Sequence, residues 1–549
     1  MVLLLPVERS PKNAPPPFNI HMTQKPFLTT LAQNCNTLTQ LKQLHAQILR
    51  CRIQHAPYSL APIISVAATS NDMSFFSYAH SIFLHLTHRN TFIHNTMIRA
   101  YLQYHSPVPA LSCYSTMLQN GIAVNNYTFP PLIKACTALI CSSNYASRSA
   151  MIGRLVHGHV VKFGLPNDPY VVSAFIEFYS ASRDVYKAKV LFDKTTKKDV
   201  VMWTTMIDGY GKIGHVESAI ELFDEMPERN VVSWSAMMAA YSHVSDFKEV
   251  LALFLEMQDE GVKPNDSILV TVLTACAQLG ALTQGIWVHS YARRLERSNR
   301  ILATALVDMY SKCGCVESAL AVFDGISDKD VGAWNAMISG VALNGDVKKS
   351  LELFQQMVVC GNQPNETTFV AVITACTHAK MVRQGLRLFE EMSVTYGVEP
   401  CVEHYACVVD LLSRAGMVEE AERFIEEKMG GFAAGDPNVW GAILNACRIY
   451  KNINVGNRVW KKLIDMGVSD CGTHVLTYNI YREAGWDAEA NRVRSMISEA
   501  GMKKKPGCSI IEVGNKVEEF LAGDQSHPQA QEMCRLLDSI LKMANFKHI

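Results

Sequence analysis

The sequence lacks an excess of either charge, a long apolar run and closely paired cysteines. Its 51 basic and 51 acidic side chains cancel, which excludes nonspecific binding to polyanions, because that binding needs a large surplus of basic groups. No apolar run approaches the ~18 residues of a membrane-spanning helix. The 16 cysteines include no C-x-x-C pair and are irregularly spaced along 549 residues. Free thiols in a reducing compartment are therefore favoured over a secreted disulfide framework.

Wholesale disorder is also excluded, because 48% of the residues are hydrophobic and only 19% are charged. Residues 1–24 differ from the rest, since Glu8 is their only acid and proline and asparagine are frequent there. They lack the apolar core and cleavage site of a secretory signal. The low acid content fits an organellar transit peptide and, equally, a disordered N-terminus. We predict no folded domain in this segment.

The remainder of the chain contains an internal repeat. The phrases VVMWTTMIDGYGKIG, VVSWSAMMAAYSHVS and VGAWNAMISGVALNG begin at Val200, Val231 and Val331. A second phrase, of the type AIELFDEM, accompanies each of them. The spacings of the two phrases define a repeat of 31–36 residues, which is a period typical of helical arrays.

Each repeat is predicted to form two helices. In the repeat 231–265, apolar residues recur at i, i+3, i+4 and i+7 along two stretches that begin at Trp234 and Val250. Gly261 suits the end of the second helix, and Asn265 can cap the next one. One helical hairpin cannot bury both apolar stripes, so neighbouring repeats must stack. We therefore predict an all-α fold.

These phrases and lengths resemble the pentatricopeptide repeat (PPR) family, specifically the plant PLS class, whose repeats alternate between three lengths. The resemblance covers about residues 25–549. It implies a right-handed α-solenoid of stacked helix-turn-helix repeats, with a degenerate repeat at 25–56 and about eleven repeats in 57–437. Residues 438–505 resemble the helical extension (E) motifs. Residues 506–549 resemble an E+ segment, which is the start of a DYW deaminase domain truncated before its catalytic part.

Two short enzyme-like motifs occur within one repeated phrase. His215-x-Glu217 resembles part of a zinc deaminase site, but no P-C-x-x-C follows to supply two thiolates. Gly209 opens a G-x-G-x-x-G pattern, but a predicted helix precedes it where a dinucleotide site needs a strand. Because both motifs have a repeat explanation, we predict a protein that is not an enzyme, with no catalytic residue, no metal site and no cofactor.

Some cysteines and histidines recur once per repeat at matching positions. A metal site needs three or four converging ligands, which one cysteine and one histidine per repeat cannot provide. We therefore expect core packing for this set: Cys136, Cys276, Cys376, Cys447, His45, His157 and His289.

What remains is the surface of the array. Helical-repeat RNA binders recognise one base per repeat through two or three side chains. The resemblance assigns this role to the fifth and last residues of a repeat, here Asn95/Asn125, Ser173/Asp199, Thr204/Asn230, Ser235/Asn265, Thr304/Asp330 and Asn335/Asn365. It assigns stacking on the base to the second residue, here Val201, Val232 and Ile301. Helix capping is the alternative role for short polar side chains; it explains the last residues well and the fifth residues poorly.

The resemblance also implies a base preference for each pair. In the family, Asn/Asn pairs prefer a pyrimidine, Thr/Asn and Ser/Asn pairs prefer A, and Thr/Asp and Ser/Asp pairs prefer G. The family places its last short repeat, here 402–437, four nucleotides before an edited cytidine. Counting back from that point, the implied target is Y-N-G-A-A-N-G-Y over positions −13 to −6.

The function implied is sequence-specific binding of single-stranded RNA in a plant mitochondrion or chloroplast, with the mitochondrion favoured. The expected task is recognition of sites for C-to-U editing, with a DYW-type deaminase supplied in trans alongside other editing factors, and without a membrane. One alternative is RNA binding for organellar splicing, processing or transcript stability. A second alternative, of another class, is a helical-repeat scaffold for protein interactions.

Overall fold

The computed structural model describes residues 24–51, 59–86, 89–141, 146–165, 168–294, 299–429, 436–502, 507–513, 516–523 and 526–545. The segment predicted to be unfolded, 1–24, lies outside these ranges except for its last residue. The chain divides between residues 229 and 230 into two compact bodies, called here the N-terminal and C-terminal bodies.

The described part of the N-terminal body consists of successive helix pairs. They are α1 (Gln24–Gln33), α2 (Leu38–Arg50), α3 (Ala61–Thr69), α4 (Met73–His85), α5 (Thr91–Gln103), α6 (Pro107–Gln119), α7 (Phe129–Cys141), α8 (Ala146–Lys162), α9 (Pro169–Ala181), α10 (Val185–Lys194), α11 (Val200–Lys212) and α12 (Val216–Glu225).

The described part of the C-terminal body continues the helix pairs and adds two strands. Its elements are α13 (Val231–His243), α14 (Phe247–Asp259), α15 (Asp266–Leu279), α16 (Leu282–Arg294), α17 (Arg300–Lys312), α18 (Val316–Asp324), α19 (Val331–Leu343), α20 (Val347–Val359), α21 (Glu366–His378), α22 (Val382–Val394), α23 (Val402–Arg414), α24 (Val418–Lys428), α25 (Pro437–Ile449), α26 (Ile453–Asp465), α27 (Cys471–Glu483), α28 (Asp487–Glu499), β1 (Cys508–Val513), β2 (Lys516–Leu521) and α29 (Ala530–Asn545).

The helix boundaries follow the turn chemistry of the sequence. At the end of α14, Gly261 has a φ of +74°, which an L side chain rarely adopts, and the Val262 N–H donates to the Met257 carbonyl at 3.1 Å. This closes the helix with a Schellman-type bond. The Asn265 side chain then accepts from the Ile268 N–H at 2.9 Å and caps α15. The predicted helical hairpin of 231–265 is confirmed.

First helices of consecutive repeats pack side by side within each body. In the C-terminal body, α13 packs on α15, α15 on α17, α17 on α19 and α19 on α21. Trp234 and Trp334 are buried in this stack, while Trp203 of the N-terminal body is half-buried and lies edge-on against Phe192. Each body is thus a stack of helix-turn-helix repeats, which is the α-solenoid architecture predicted from the sequence.

Some neighbouring first helices approach so closely that only glycine fits. A Cβ atom on Gly209 of α11 would lie 2.3 Å from the Ser180 Oγ of α9. Since real Cβ contacts are longer than this, Gly209 is required for helix packing. The glycine of the dinucleotide-like pattern therefore serves the contact between two repeats.

Residues 506–549, which resemble an E+ segment, contain an element that the sequence did not predict. Strands β1 and β2 pair antiparallel, from Cys508 opposite Leu521 to Val513 opposite Lys516. Within the described residues of 57–437 the structure has helices and no strand, so the all-α prediction is confirmed for the array and does not extend to this hairpin. None of the described helices is both long and apolar enough to cross a bilayer.

The hairpin β1–β2 contacts the array inside the C-terminal body. Lys248 of α14 forms an ion pair with Glu519 of β2. The Thr283 backbone N–H, in the first turn of α16, donates to Glu512 Oε2 of β1 at 3.0 Å. An N–H in the first turn of a helix has no partner within the helix, so the carboxylate satisfies it.

Candidate nucleic-acid interface

The three second residues assigned to base stacking are exposed apolar side chains at the start of first helices. Val201 is 60% exposed, Val232 52% and Ile301 64%. Each lies three residues before a fifth residue, namely Thr204, Ser235 and Thr304, so an apolar side chain and a polar one share a helix face. Single exposed apolar side chains are common on protein surfaces, but here the exposure recurs at the same position of three repeats.

The six last residues all cap the turn or helix that follows them. The set is Asn125, Asp199, Asn230, Asn265, Asp330 and Asn365. In the same order, their side-chain oxygens accept at 2.8–3.1 Å from the backbone N–H groups of Tyr127, Met202, Val232, Ile268, Ala333 and Thr368. The capping role that we considered for these positions is therefore present. Each cap engages one side-chain oxygen, which leaves the second carboxylate oxygen or the amide nitrogen for another partner.

Two of the six pairs are joined directly. The Asn95 Nδ2 donates to Asn125 Oδ1 at 3.0 Å, and the Asn335 Nδ2 donates to Asn365 Oδ1 at 3.0 Å. Asn95 and Asn335 are buried, and neither bond is a helix cap. The structure thus brings together the fifth and last residues of these two repeats, 30 residues apart in sequence.

The pair Ser173/Asp199 is not joined in this way. Asp199 is exposed at the start of α11, where its Oδ1 accepts from the Met202 N–H at 2.8 Å. Ser173 is half-buried on α9, and the described part of the chain shows no hydrogen bond between the two side chains. Asp199 is therefore seen as a helix cap, the alternative role that the sequence had offered. Base recognition by this carboxylate stays a prediction. Its Oδ2 atom, which does not take part in the capping bond, could accept a hydrogen bond from a base.

The other fifth residues are half-buried hydroxyl side chains: Ser173, Thr204, Ser235 and Thr304. Thr204 donates to the Val200 carbonyl one turn earlier at 2.8 Å, which is a common bond for threonine within a helix. Thr204 belongs to the N-terminal body and its assigned partner Asn230 to the C-terminal body.

Asp330 has a partner that the sequence did not reveal. Its Oδ2 lies 3.0 Å from the Arg300 Nε, while its Oδ1 accepts the capping bond from Ala333. Arg300 is the first residue of the repeat whose last residue is Asp330, so the two ends of one repeat meet at the assigned base-recognition position. The guanidinium also approaches Asp328, at 3.5 Å.

The recurring cysteines are core residues, as predicted. Cys136, Cys276, Cys376 and Cys447 are fully buried in first helices. Burial raises the pKa of Cys136, Cys276 and Cys447 to about 12 and that of Cys376 to about 11, so these thiols remain protonated and unreactive at neutral pH.

The recurring histidines bond to tyrosines of the following repeat. The ring Nδ1 atoms of His45, His157 and His289 lie 2.7, 2.7 and 2.9 Å from the hydroxyls of Tyr78, Tyr179 and Tyr310. Burial lowers the pKa of all three imidazoles. Among the described residues, no group of three or more His, Cys, Asp or Glu side chains is placed to hold a metal.

Sequence reasoning missed Arg300 and Thr368, which touch assigned base-recognising residues. The Thr368 hydroxyl lies 2.6 Å from Asn335 Oδ1. The position of Thr368 could have been recognised in the sequence, because a threonine three residues after a capping asparagine is a capping-box pattern. Arg300 gave no such signal, since one exposed arginine at a helix start is unremarkable without the fold.

Comparison with known proteins gives three kinds of match. The PPR repeat profile matches residues 92–122, 201–231, 302–331, 367–394 and 403–429, a second PPR repeat profile matches 229–278 and 329–378, and the E motif matches 450–512. A pentatricopeptide repeat-containing protein of Arabidopsis thaliana is 42% identical over 91% of this chain and 79% of its own length. Another from the same plant, described as putative and chloroplastic, is 38% identical over 96% of this chain and 94% of its own.

The fold has a solved counterpart. The crystal structure of the pentatricopeptide repeat protein PPR10 from maize superposes with a TM-score of 0.51 over 86% of this chain and 74% of that chain, at 14% identity. This likeness concerns the fold alone. Taken with the repeats, the E motif and the sequence identity over nine-tenths of the chain, it leads to one conclusion: the chain belongs to the pentatricopeptide repeat family, in the subgroup that carries an E motif.

Proposed function

We propose that this protein binds single-stranded organellar RNA in a sequence-specific manner. Its task is to select sites for C-to-U editing, while a DYW-type deaminase and further editing factors are supplied in trans. The protein itself performs no catalysis, holds no metal and needs no cofactor.

The proposal rests on one observation. At the start of first helices, an exposed apolar side chain lies three residues before a polar side chain on the same helix face. Val232 with Ser235, and Ile301 with Thr304, combine an apolar surface of the kind on which a base can stack with a hydroxyl that donates and accepts. Stacking on side chains and hydrogen bonding to base edges are two of the means by which proteins recognise single-stranded RNA.

The zero net charge suits this mode of binding. A protein that relied on phosphate contacts would need many basic groups, and its affinity would fall steeply with salt. Here 51 basic and 51 acidic side chains balance. Base contacts should therefore supply most of the affinity, and discrimination between sequences should be high relative to nonspecific binding.

Editing is favoured over other RNA tasks by the E motif at 450–512, which in this family accompanies editing factors. An organellar location is supported by two of the relatives, which are described as chloroplastic. The proposal covers chloroplast and mitochondrion alike.

The binding test uses the full-length chain and RNAs that carry Y-N-G-A-A-N-G-Y or the same bases in shuffled order. Fluorescence anisotropy should show at least tenfold tighter binding to the ordered sequence, because several base contacts change together and each is worth about 1–3 kcal/mol. Equal affinity for both RNAs would refute sequence recognition, and no RNA affinity at all would favour the protein-interaction scaffold.

The editing test is a loss-of-function plant analysed by transcriptome sequencing of both organelles. Loss of conversion at a single cytidine preceded by the target sequence is expected. Loss of a spliced or processed transcript with unchanged editing would instead support the alternative of splicing or stability. Incubation of the purified chain with the target RNA should leave the cytidine unchanged until a deaminase is added.

A further inference from the structure

Thr368 is the third residue of the repeat that follows the pair Asn335/Asn365, and it contacts both asparagines. It is fully buried in the first turn of α21. Its Oγ1 lies 2.6 Å from Asn335 Oδ1 and 3.0 Å from Asn365 Oδ1. The assigned pair is therefore a cluster of three side chains, and the third belongs to the next repeat.

The hydrogen bonds determine which group the Thr368 hydroxyl donates to. Asn365 Oδ1 already accepts from the Asn335 Nδ2 at 3.0 Å and from the Thr368 N–H at 3.1 Å, which fills the two lone pairs of a carbonyl oxygen. Thr368 Oγ1 itself accepts from the Asn365 N–H at 3.1 Å. The single hydroxyl proton therefore goes to Asn335 Oδ1, across the shorter of the two distances.

This arrangement fixes the orientation of the Asn335 amide. Its oxygen is held by the Thr368 hydroxyl and one of its N–H groups by Asn365, so a rotation that exchanged oxygen and nitrogen would break both bonds. With both amide oxygens of the pair engaged, the groups left for a base are mainly N–H donors. Such donors match the O2 carbonyl oxygen that both pyrimidines carry.

The matching cluster in the N-terminal body lacks this bond. Thr128 occupies the same place after the pair Asn95/Asn125, and its hydroxyl lies 3.1 Å from Asn125 Oδ1. The buried Asn95 Oδ1 has no hydrogen-bond partner. Two repeats with identical residues at these three positions thus differ in how firmly the fifth residue is oriented.

We propose that Thr368 is a positioning residue that sets the pyrimidine preference of the repeat 331–365, although it lies in the next repeat. This inference rests on the proposed RNA-binding function. The inference adds Thr368 to the base-recognising pair. Its hydroxyl determines whether the Asn335 amide presents a hydrogen-bond donor or an acceptor to the base.

The test measures RNA affinity of full-length variants against four RNAs that differ only at the base facing Asn335/Asn365, position −6. The wild-type chain should prefer pyrimidine over purine by roughly fivefold or more. Thr368→Val keeps the shape but removes the hydroxyl, so this preference should fall below about twofold. Thr368→Ser keeps the hydroxyl and should restore it. Preference at −7, which faces Thr304/Asp330, should be unchanged in both variants.

Thr128→Val is the matched control, because it also removes a capping hydroxyl but no bond to the fifth residue Asn95. Its thermal midpoint should fall less than that of Thr368→Val, because only the latter leaves the buried Asn335 Oδ1 newly unpaired. Its base preference opposite Asn95/Asn125 should stay within about twofold of wild type. If the wild-type chain shows no preference at −6, the assignment of Asn335/Asn365 fails and the role of Thr368 with it, whereas failure of the proposed function would appear as equal affinity for the ordered and shuffled RNAs. If wild type and Thr368→Val both prefer pyrimidine equally, only the role of Thr368 is overturned.

Discussion

Gly340 of α19 lies so close to Ser311 of α17 that a Cβ atom on the glycine would stand 2.1 Å from the serine Oγ and 2.5 Å from its Cβ. The same relationship links Gly209 to Ser180 in the N-terminal body. Small residues at these positions let first helices of neighbouring repeats come together, and this spacing sets the distance between successive candidate base-recognition positions.

Gly340→Ala should therefore destabilise the C-terminal body. Overpacking of this kind costs about 1–3 kcal/mol, against which alanine gains up to ~1 kcal/mol in helix propensity, so a net loss on the order of 1 kcal/mol is expected as a lower urea midpoint. Gly441→Ala is the control, because no atom other than those of its chain neighbours and of its own helix backbone lies within 4 Å of the added Cβ. That variant should be as stable as wild type or slightly more stable. An unchanged midpoint for Gly340→Ala would show that the two helices can separate at little cost.

Thr304→Asn should change the base preferred at −7 from G to a pyrimidine, because it alters the donors and acceptors beside Ile301. One matched base contact is worth about 1–3 kcal/mol, or roughly 5- to 150-fold in affinity. Affinities for four RNAs varied at −7 provide the measurement, and RNAs varied at −9, facing Ser235/Asn265, provide the control. Identical ranking of the four bases by wild type and variant would exclude Thr304 from base recognition.

Arg300→Ala should weaken the preference for G at −7 without abolishing binding. The guanidinium fixes Asp330 Oδ2 at 3.0 Å and partly offsets its charge, and a half-exposed ion pair of this type contributes up to ~1 kcal/mol, so a loss of about fivefold or less is expected. Arg387→Ala removes a comparable surface pair with Glu391 on α22 and should leave every preference intact. Equal effects of the two substitutions would mean that Arg300 acts only through general electrostatics.

Stability should decrease as the pH falls below about 6.5, because burial lowers the pKa of His45, His157 and His289. These imidazoles are neutral in the folded chain, whereas in the unfolded chain they take up protons near their ordinary pKa of ~6.5. The stabilising contribution of these neutral imidazoles to the free energy of unfolding is therefore complete above that pH and is lost as the pH falls below it. Thermal midpoints from pH 7.5 to 5 measure the effect. His289→Gln, which can still bond the Tyr310 hydroxyl, should flatten this dependence.

The sequence predicted the helix pairs well because their determinants are local. Apolar spacing from Trp234 onward, the glycine at 261 and the capping asparagine at 265 each act within a few residues, so no tertiary information was needed. Burial of Cys136 and its counterparts was predicted from their recurrence at one matching position of each repeat. Trp203 occupies the same position of its repeat as the buried Trp234 and Trp334 but is only half-buried, because its environment depends on how the neighbouring repeat packs.

The partners of the candidate site could not be predicted in the same way. Whether Thr368 bonds to Asn335 depends on the distance between two first helices, and Thr128, of identical type and position, does not bond to Asn95. The link between Arg300 and Asp330 likewise joins residues 30 positions apart in sequence. The β1–β2 hairpin escaped prediction because neither strand sequence, CSIIEV or KVEEFL, alternates strictly between apolar and polar residues.

The docking of that hairpin has a mechanical consequence. Repeat arrays normally have contacts between nearest neighbours only, so they can peel apart one repeat at a time. Here Lys248 holds Glu519 across 271 residues of sequence, and Thr283 holds Glu512 across 229. These bonds join distant points of the C-terminal body into a closed loop. If the chain were pulled from its C-terminus, the contacts of Lys248 with Glu519 and of Thr283 with Glu512 would have to break before the force reached the helical repeats.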